Sequence, residues 1–135
     1  MESQITVSKQ QKSIEVIDIA VAQNRPIYEV TLEHELTSFG AKKELVIAEI
    51  KKRIEIMRQA AKRGVSESIT TKSGLFHGNA HKFFANSKNN RLLSPVVTKA
   101  VAYSLAVAEV NAAMGIIVAA PTAGSCGVIP GVLFA

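Results

Sequence analysis

The chain has 135 residues, 47% hydrophobic and 20% charged, which suits one globular domain or part of one and excludes a disordered segment. Its net charge of +5 rests largely on a basic run from Lys42 to Arg63, interrupted by Glu44, Glu49 and Glu55; without interleaved aromatics this reads as a solvated helix face and not a nucleic-acid groove. A single cysteine, Cys126, excludes an internal disulfide framework and a self-contained multi-cysteine metal site.

Residues 1–64 form a region that reads as helical. The polar opening, Met1 to Gln11, lacks the basic-then-apolar order of a signal peptide, so a cytoplasmic location is the expectation. Ile14, Ile17, Ala20 and Val21 recur at helical spacing, with Ser13 as a candidate N-cap. Four β-branched residues, Ile14, Val16, Ile19 and Val21, keep a strand open as the alternative. Asn24-Arg25-Pro26 is a break, and Pro26 suits the first position of a second helix that carries Ile27, Val30, Leu32 and Leu36 and stops near Gly40. A third helix is predicted from about Lys42 to Arg63. Ile47, Ile50, Ile54, Met57 and Ala61 make its apolar stripe, and Gly64 is expected as its C-cap.

Residues 65–93 are rich in Ser, Thr, Gly, Asn and Lys, and read as loop with one short helix after Gly78. Residues 94–135 open with Ser94 as N-cap and Pro95 at the first helical position. The helix that follows is Ala-rich and apolar on most sides, with only Lys99 and Glu109 charged, so it is expected to be central. Asn111 within it needs a partner if buried. From Val110 onward no residue is charged. The length would admit a membrane span, but Pro121, Gly124, Gly127, Pro130 and Gly131 break it repeatedly, so no membrane crossing is expected. An ending on Val-Leu-Phe-Ala would expose apolar surface, which leads to the expectation of a chain cut inside a buried helix.

The loop Pro121-Thr122-Ala123-Gly124-Ser125-Cys126-Gly127 carries the strongest chemical signal. Its glycines permit a sharp turn and close approach to a ligand. A helix starting just after it would offer free N–H groups to an anion and lower the pKa of the thiol. Spacing alone leaves open a small buried cysteine in a capping turn. His77 and His81, four apart, would bind a metal together only on a helix and with a third ligand, and Gly78 and Asn79 weaken that helix.

The run Met114-Gly115-Ile116-Ile117-Val118-Ala119-Ala120-Pro121-Thr122-Ala123-Gly124-Ser125-Cys126-Gly127-Val128-Ile129-Pro130-Gly131-Val132-Leu133 closely resembles the cluster-binding loop of the iron–sulfur-dependent L-serine dehydratases. Residues Ala100 to Ala112 are similar to that family's preceding helix, and Ser73 to Lys82 resemble its Gly-rich substrate loop. The resemblance is strong over 73–135 and weaker before. It implies an all-α fold, the helical catalytic domain of the alpha-chain type, here its amino-terminal part. It implies a lyase that turns L-serine into pyruvate and ammonia at a 4Fe–4S cluster held by three cysteines, with one iron open to substrate. Cys126 matches the first of those ligands, and the other two are expected beyond Ala135, which makes the chain alone an inactive part of the enzyme. Thr122, Ala123, Gly124 and Ser125 are candidate donors to the serine carboxylate, and Lys82 a further candidate, against an ordinary surface role. A beta subunit or regulatory domain and an oligomeric state are implied as well. No catalytic base is identified. The alternatives are a non-catalytic helical module packing against a partner chain, with Cys126 structural, and a pyridoxal-phosphate enzyme with Lys82 as the Schiff-base lysine.

Overall fold

Helix, and not strand, is what the β-branched opening segment forms: residues 15–22 make helix α1 in the computed structural model, which describes residues 15–71, 73–89 and 92–135. Ser13 and Ile14, the expected N-cap and first apolar residue, lie outside the described residues. The described chain is all-α. Its other helices are α2 (Ile27–Phe39), α3 (Lys43–Ser66), α4 (Asn79–Ala85), α5 (Pro95–Ala112) and α6 (Val128–Leu133), with single 3-10 turns at Ser87–Asn89 and Ala123–Ser125. The described residues contain no β-strand, only an isolated bridge between Thr70 and His77.

The chain divides into two compact units, residues 1–49 and 50–135. In the first, Pro26 is the N-cap of α2 and not its first helical residue, and Gly40 ends the helix at φ 61°, a left-handed conformation that glycine adopts without strain. Arg25 reaches along α2 to Glu33, 2.7 Å, and Glu29, 3.6 Å. Only Ala20 and Val30 are buried among the described residues of this unit.

In the second unit the apolar stripe of α3 sinks toward its C-terminal end: Met57 and Ala61 are buried, whereas Ile50 is 44% exposed. Gly64 does not cap α3, which continues to Ser66. It is buried against α5, where an added Cβ would sit 2.5 Å from the Ala106 Cβ and 2.7 Å from its carbonyl oxygen. This glycine is a close-packing residue, and its lack of a side chain is what lets the two backbones approach.

Helix α5 is the central element the sequence indicates. Ser94 accepts from the Val97 N–H, 3.3 Å, and Pro95 follows at the start. Ala106 meets α3 at Gly64, and Glu109 meets the start of α4. Ala100 and Ser104 face α6, where Gly131 would bring a Cβ to 2.8 Å from the Ala100 carbonyl oxygen and Gly127 would drive one into the Ser104 carbonyl. Between these faces, Val107 and Val110 join Ala60, Ala61, Ile69 and Cys126 in the apolar core, with Tyr103, Ile117 and Phe134 packed against it. The Phe84 ring of α4 stacks on Tyr103 at 6.0 Å, and the Arg58 guanidinium lies 4.8 Å from the centre of the Phe134 ring.

The C-terminal end of α5 is a paired-bond cap: Met114 N–H donates to the Asn111 carbonyl, 2.9 Å, and Gly115 N–H to the Val110 carbonyl, 2.8 Å. The left-handed residue of this cap is Met114, at φ 62°, and the glycine stands one place later, where a Cβ would meet Val110. Among the described residues no helix is long and apolar enough to cross a membrane.

Candidate functional site

Two loops hang from α5. The first is the Gly-rich segment before α4. Thr71 N–H donates to the Phe76 carbonyl, 3.2 Å, and Gly78 N–H to the Ile69 carbonyl, 2.8 Å, so residues 69–71 and 76–78 run back against each other. Gly74 and Gly78 take left-handed conformations at φ 70° and 68°. The short helix expected after Gly78 is α4. Lys82 sits exposed on it, at the edge of an open hollow of about 500 Å³ that Asn79, Phe83, Asn86 and Asn89 also line. The Asn86 amide donates to the Lys82 carbonyl, 2.9 Å, and closes this helix.

The two histidines do not share a helix. His77 lies in the bridge to Thr70, before α4 begins, and the His81 ring nitrogen Nδ1 pairs with the Val65 carbonyl, 2.8 Å. His81 therefore ties α4 to the end of α3. Among the described residues no three His, Cys, Asp or Glu side chains gather to hold a metal ion.

The second loop follows the extended segment after Met114 and a cis Ala120–Pro121 peptide. Thr122 closes it: its Oγ1 accepts from the Ser125 N–H, 3.3 Å, and pairs with the Ser125 hydroxyl, 2.9 Å. Asn111 finds the partner its place in the helix requires, donating from Nδ2 to the Ala123 carbonyl, 3.1 Å. Within the described residues the N–H groups of Ala123 and Gly124 have no acceptor, and both residues are exposed. A Cβ on Gly124 would meet only Thr122 Oγ1, at 3.9 Å, so neither packing within this chain nor a left-handed backbone demands glycine there. The arrangement is a turn held by Asn111 and Thr122 that leaves two exposed residues with unbonded backbone donors among the described residues.

Cys126 sits on the other side of that turn. It is 1% exposed and packs in the apolar core with Val107 and Val110. Burial pushes its thiol pKa up from the ordinary 9.0, with a backbone hydrogen bond opposing. This corrects the expectation of a lowered pKa. Helix α6, which begins just after, has six residues, too short to supply the dipole that the expectation assumed, while loss of water around the sulfur disfavours the thiolate.

The residue that sequence reasoning left without a role is Glu109. It is 1% exposed, and its Oε1 accepts from the N–H groups of Asn79, 2.7 Å, and Ala80, 3.3 Å. The signal was present: a carboxylate in an otherwise apolar helix must find donors when buried. Glu109 holds the first loop and Asn111 the second. Two residues apart on a helix they point about 200° away from each other, so Lys82 and the turn 122–126 are attached to different faces of α5.

An all-helical scaffold that displays a glycine-flanked cysteine turn from a buried Ala-rich helix is the class that fold and site define. A family profile described as serine dehydratase alpha chain matches residues 13–135, and the chain belongs to that family. It is 37% identical over 132 residues to a probable L-serine dehydratase alpha chain of Bacillus subtilis (strain 168), covering 97% of this chain and 40% of that protein. It is 31% identical over 122 residues to the L-serine dehydratase alpha chain of Peptoniphilus asaccharolyticus, covering 90% of this chain and 42% of that one. A shorter stretch of 38 residues is 55% identical to a probable L-serine dehydratase alpha chain of Latilactobacillus sakei, covering 28% of this chain and 18% of that protein. The chain thus spans about two fifths of the length of the first two relatives. No solved structure matches it.

Proposed function

We propose that this chain is part of the catalytic subunit of an L-serine dehydratase, a lyase that removes the α-proton and the hydroxyl of L-serine and releases pyruvate and ammonia. The observation that carries the reading is the turn 122–126: Asn111 fixes it to a buried helix while Ala123 and Gly124 are exposed and keep their N–H groups unbonded among the described residues. Membership of the family and the names of the relatives support the substrate.

The serine carboxylate is the group these donors suit. Two unbonded backbone N–H groups stand beside the Thr122–Ser125 hydroxyl pair, which uses one hydrogen internally and leaves one to donate, and such donors suit an anion. Lys82 offers a cation at its own hollow, the alternative seat for that one carboxylate. The base that takes the α-proton lies outside this assignment.

A 4Fe–4S cluster takes several thiolates, and the chain offers one. The 135 residues alone therefore do not make a cluster site. Cys126 is proposed as one ligand, with the remaining cysteines contributed from outside these residues. A bound cluster with an open iron supplies a Lewis acid for the departing hydroxyl oxygen. A beta subunit, an oligomeric state and a cytoplasmic location belong to the same proposal.

A second reading is favoured by one observation. Cys126 is packed in the core with its thiol pKa raised, which is how a structural cysteine behaves, so a non-catalytic helical module that packs on a partner chain is the competitor. The complete enzyme decides between them. Reconstituted anaerobically with iron and sulfide, it is expected to form pyruvate from L-serine, and Lys82→Met is expected to raise KM about tenfold, as loss of one charge-assisted contact does. A complete protein that holds no iron and yields no pyruvate would favour the helical module.

A further inference from the structure

Glu109 is the one charged residue among those α5 buries, and it is nearly inaccessible. Its carboxylate is spent on α4. The residue before α4, Gly78, has no side chain with which to cap the helix, and the first N–H groups of any helix lack internal partners. Glu109 accepts from two of them, from 30 positions further along the chain, and so does the work of a local N-cap side chain. Gly78 is held from the other side as well, by its bond to Ile69 and by Ser68, which an added Cβ would strike.

Lys82 follows one turn later, its N–H donating to the Gly78 carbonyl, 3.0 Å. Asn79, whose own N–H is the shorter of the two Glu109 bonds, lines the same hollow as Lys82. Glu109, by fixing the first turn, therefore helps set where both side chains stand, beside the ties that His81 and Phe84 make further along α4. Only Oε1 does this, for Oε2 is buried with no partner among the described residues.

We infer that Glu109 is a positioning residue for the serine reaction, anchoring the first turn of α4 so that Asn79 and Lys82 are presented to the substrate carboxylate at their hollow. This rests on the reading of that hollow given under Proposed function. The anchor is separate from the cysteine turn, because Asn111 holds that turn from the opposite face of α5.

The test uses the complete enzyme, reconstituted anaerobically with iron and sulfide, and compares Glu109→Ala, Glu109→Asp and Glu109→Gln. Asp keeps the charge but withdraws the carboxylate by one methylene, and Gln keeps an acceptor oxygen in place. The expected result is a KM for serine raised at least tenfold in Ala and Asp, kcat within about threefold, and iron content unchanged. Gln is expected to return KM to within about threefold of the parent. An unchanged KM in a folded Ala or Asp variant would overturn the inference. So would loss of iron and kcat with KM unaffected, or failure of all three variants to fold, either of which marks a purely structural residue. A parent enzyme that does not turn serine over would overturn the functional reading first, and the inference with it.

Discussion

The surroundings of α5 and the described part of residues 1–49 differ in how they bury apolar residues, although Leu75, Leu92, Met114 and Ile116 of the second unit are also more than 70% exposed. In residues 50–135, α5 buries Ala102, Ala106, Val107, Glu109 and Val110 to 2% exposure or less, and glycines on α3 and near α6 let backbones touch it. In the described part of residues 1–49, Ile17, Ile19, Val21, Ile27, Tyr28 and Phe39 are all more than 40% exposed. Both regions are helical, so local propensity does not distinguish them. The difference lies in side-chain size along the contact line. Alanine and glycine allow close approach around α5, and it is there that both candidate loops are fastened.

The largest effect that would sharpen this contrast is at Gly127. Its added Cβ meets the Ser104 carbonyl, a backbone atom that cannot rotate away. Gly127→Ala is expected to cost about 3 kcal/mol, the upper part of the range for overpacking, measured by denaturant unfolding. Gly124→Ala, three residues earlier with open space around it, is expected to change stability by less than about 0.5 kcal/mol. Equal losses at the two positions would break the account of a turn with one packed side and one free side.

Next in size is a matched pair of valines. Val107→Ala removes two buried methyl groups from the core and is expected to cost about 2 kcal/mol, whereas Val21→Ala, at a residue 77% exposed, is expected to cost no more than about 0.5 kcal/mol. Similar values in thermal or urea unfolding would erase the difference between the units.

Much of this organisation is legible in the sequence, and the misses have identifiable causes. The start of α5 and the stripe of α3 follow from Ser94-Pro95 and from the spacing of Ile54, Met57 and Ala61. Gly64 was misread because a glycine after Lys62-Arg63 looks the same whether it caps a helix or lets another backbone approach, and only tertiary contact separates the two. Cys126 was misread in protonation because the glycines beside it indicate a turn but not which side of the turn the sulfur occupies. The division of labour between Glu109 and Asn111 depends on partners 30 and 12 residues away in the chain, which no local pattern reveals.

The thiol gives a smaller, pH-dependent effect. Because burial raises the folded-state pKa of Cys126, the neutral thiol favours the folded state. That contribution is whole below about pH 9 and is lost as pH rises through the folded pKa. Stability of Cys126→Ala relative to the parent is therefore expected to improve as pH rises above 9, where the parent loses the contribution of its neutral thiol. The parent thiol is expected to react with a disulfide reagent at pH 8 much more slowly before unfolding than after. Equal rates would place the sulfur at the surface.

The smallest expected effect is a gain. Met114 holds a left-handed conformation at the end of α5, which costs a side-chain-bearing residue about 1 kcal/mol. Met114→Gly is expected to stabilise the chain by up to that amount, seen as a rise in the unfolding midpoint.

The central claim is that Cys126 serves a cluster and does not merely fill the core, and Cys126→Ser in the complete enzyme tests it most directly. Serine is nearly the same size but is a harder and far less acidic ligand, and iron–sulfur clusters depend on thiolate donation. As a packing change alone it would cost about 1–3 kcal/mol for an imperfectly paired buried hydroxyl and leave iron in place. Iron, sulfide and pyruvate formation are measured on the folded variant after anaerobic reconstitution. The account predicts that cluster and turnover are lost together; a folded variant that keeps a full cluster and still makes pyruvate would contradict it.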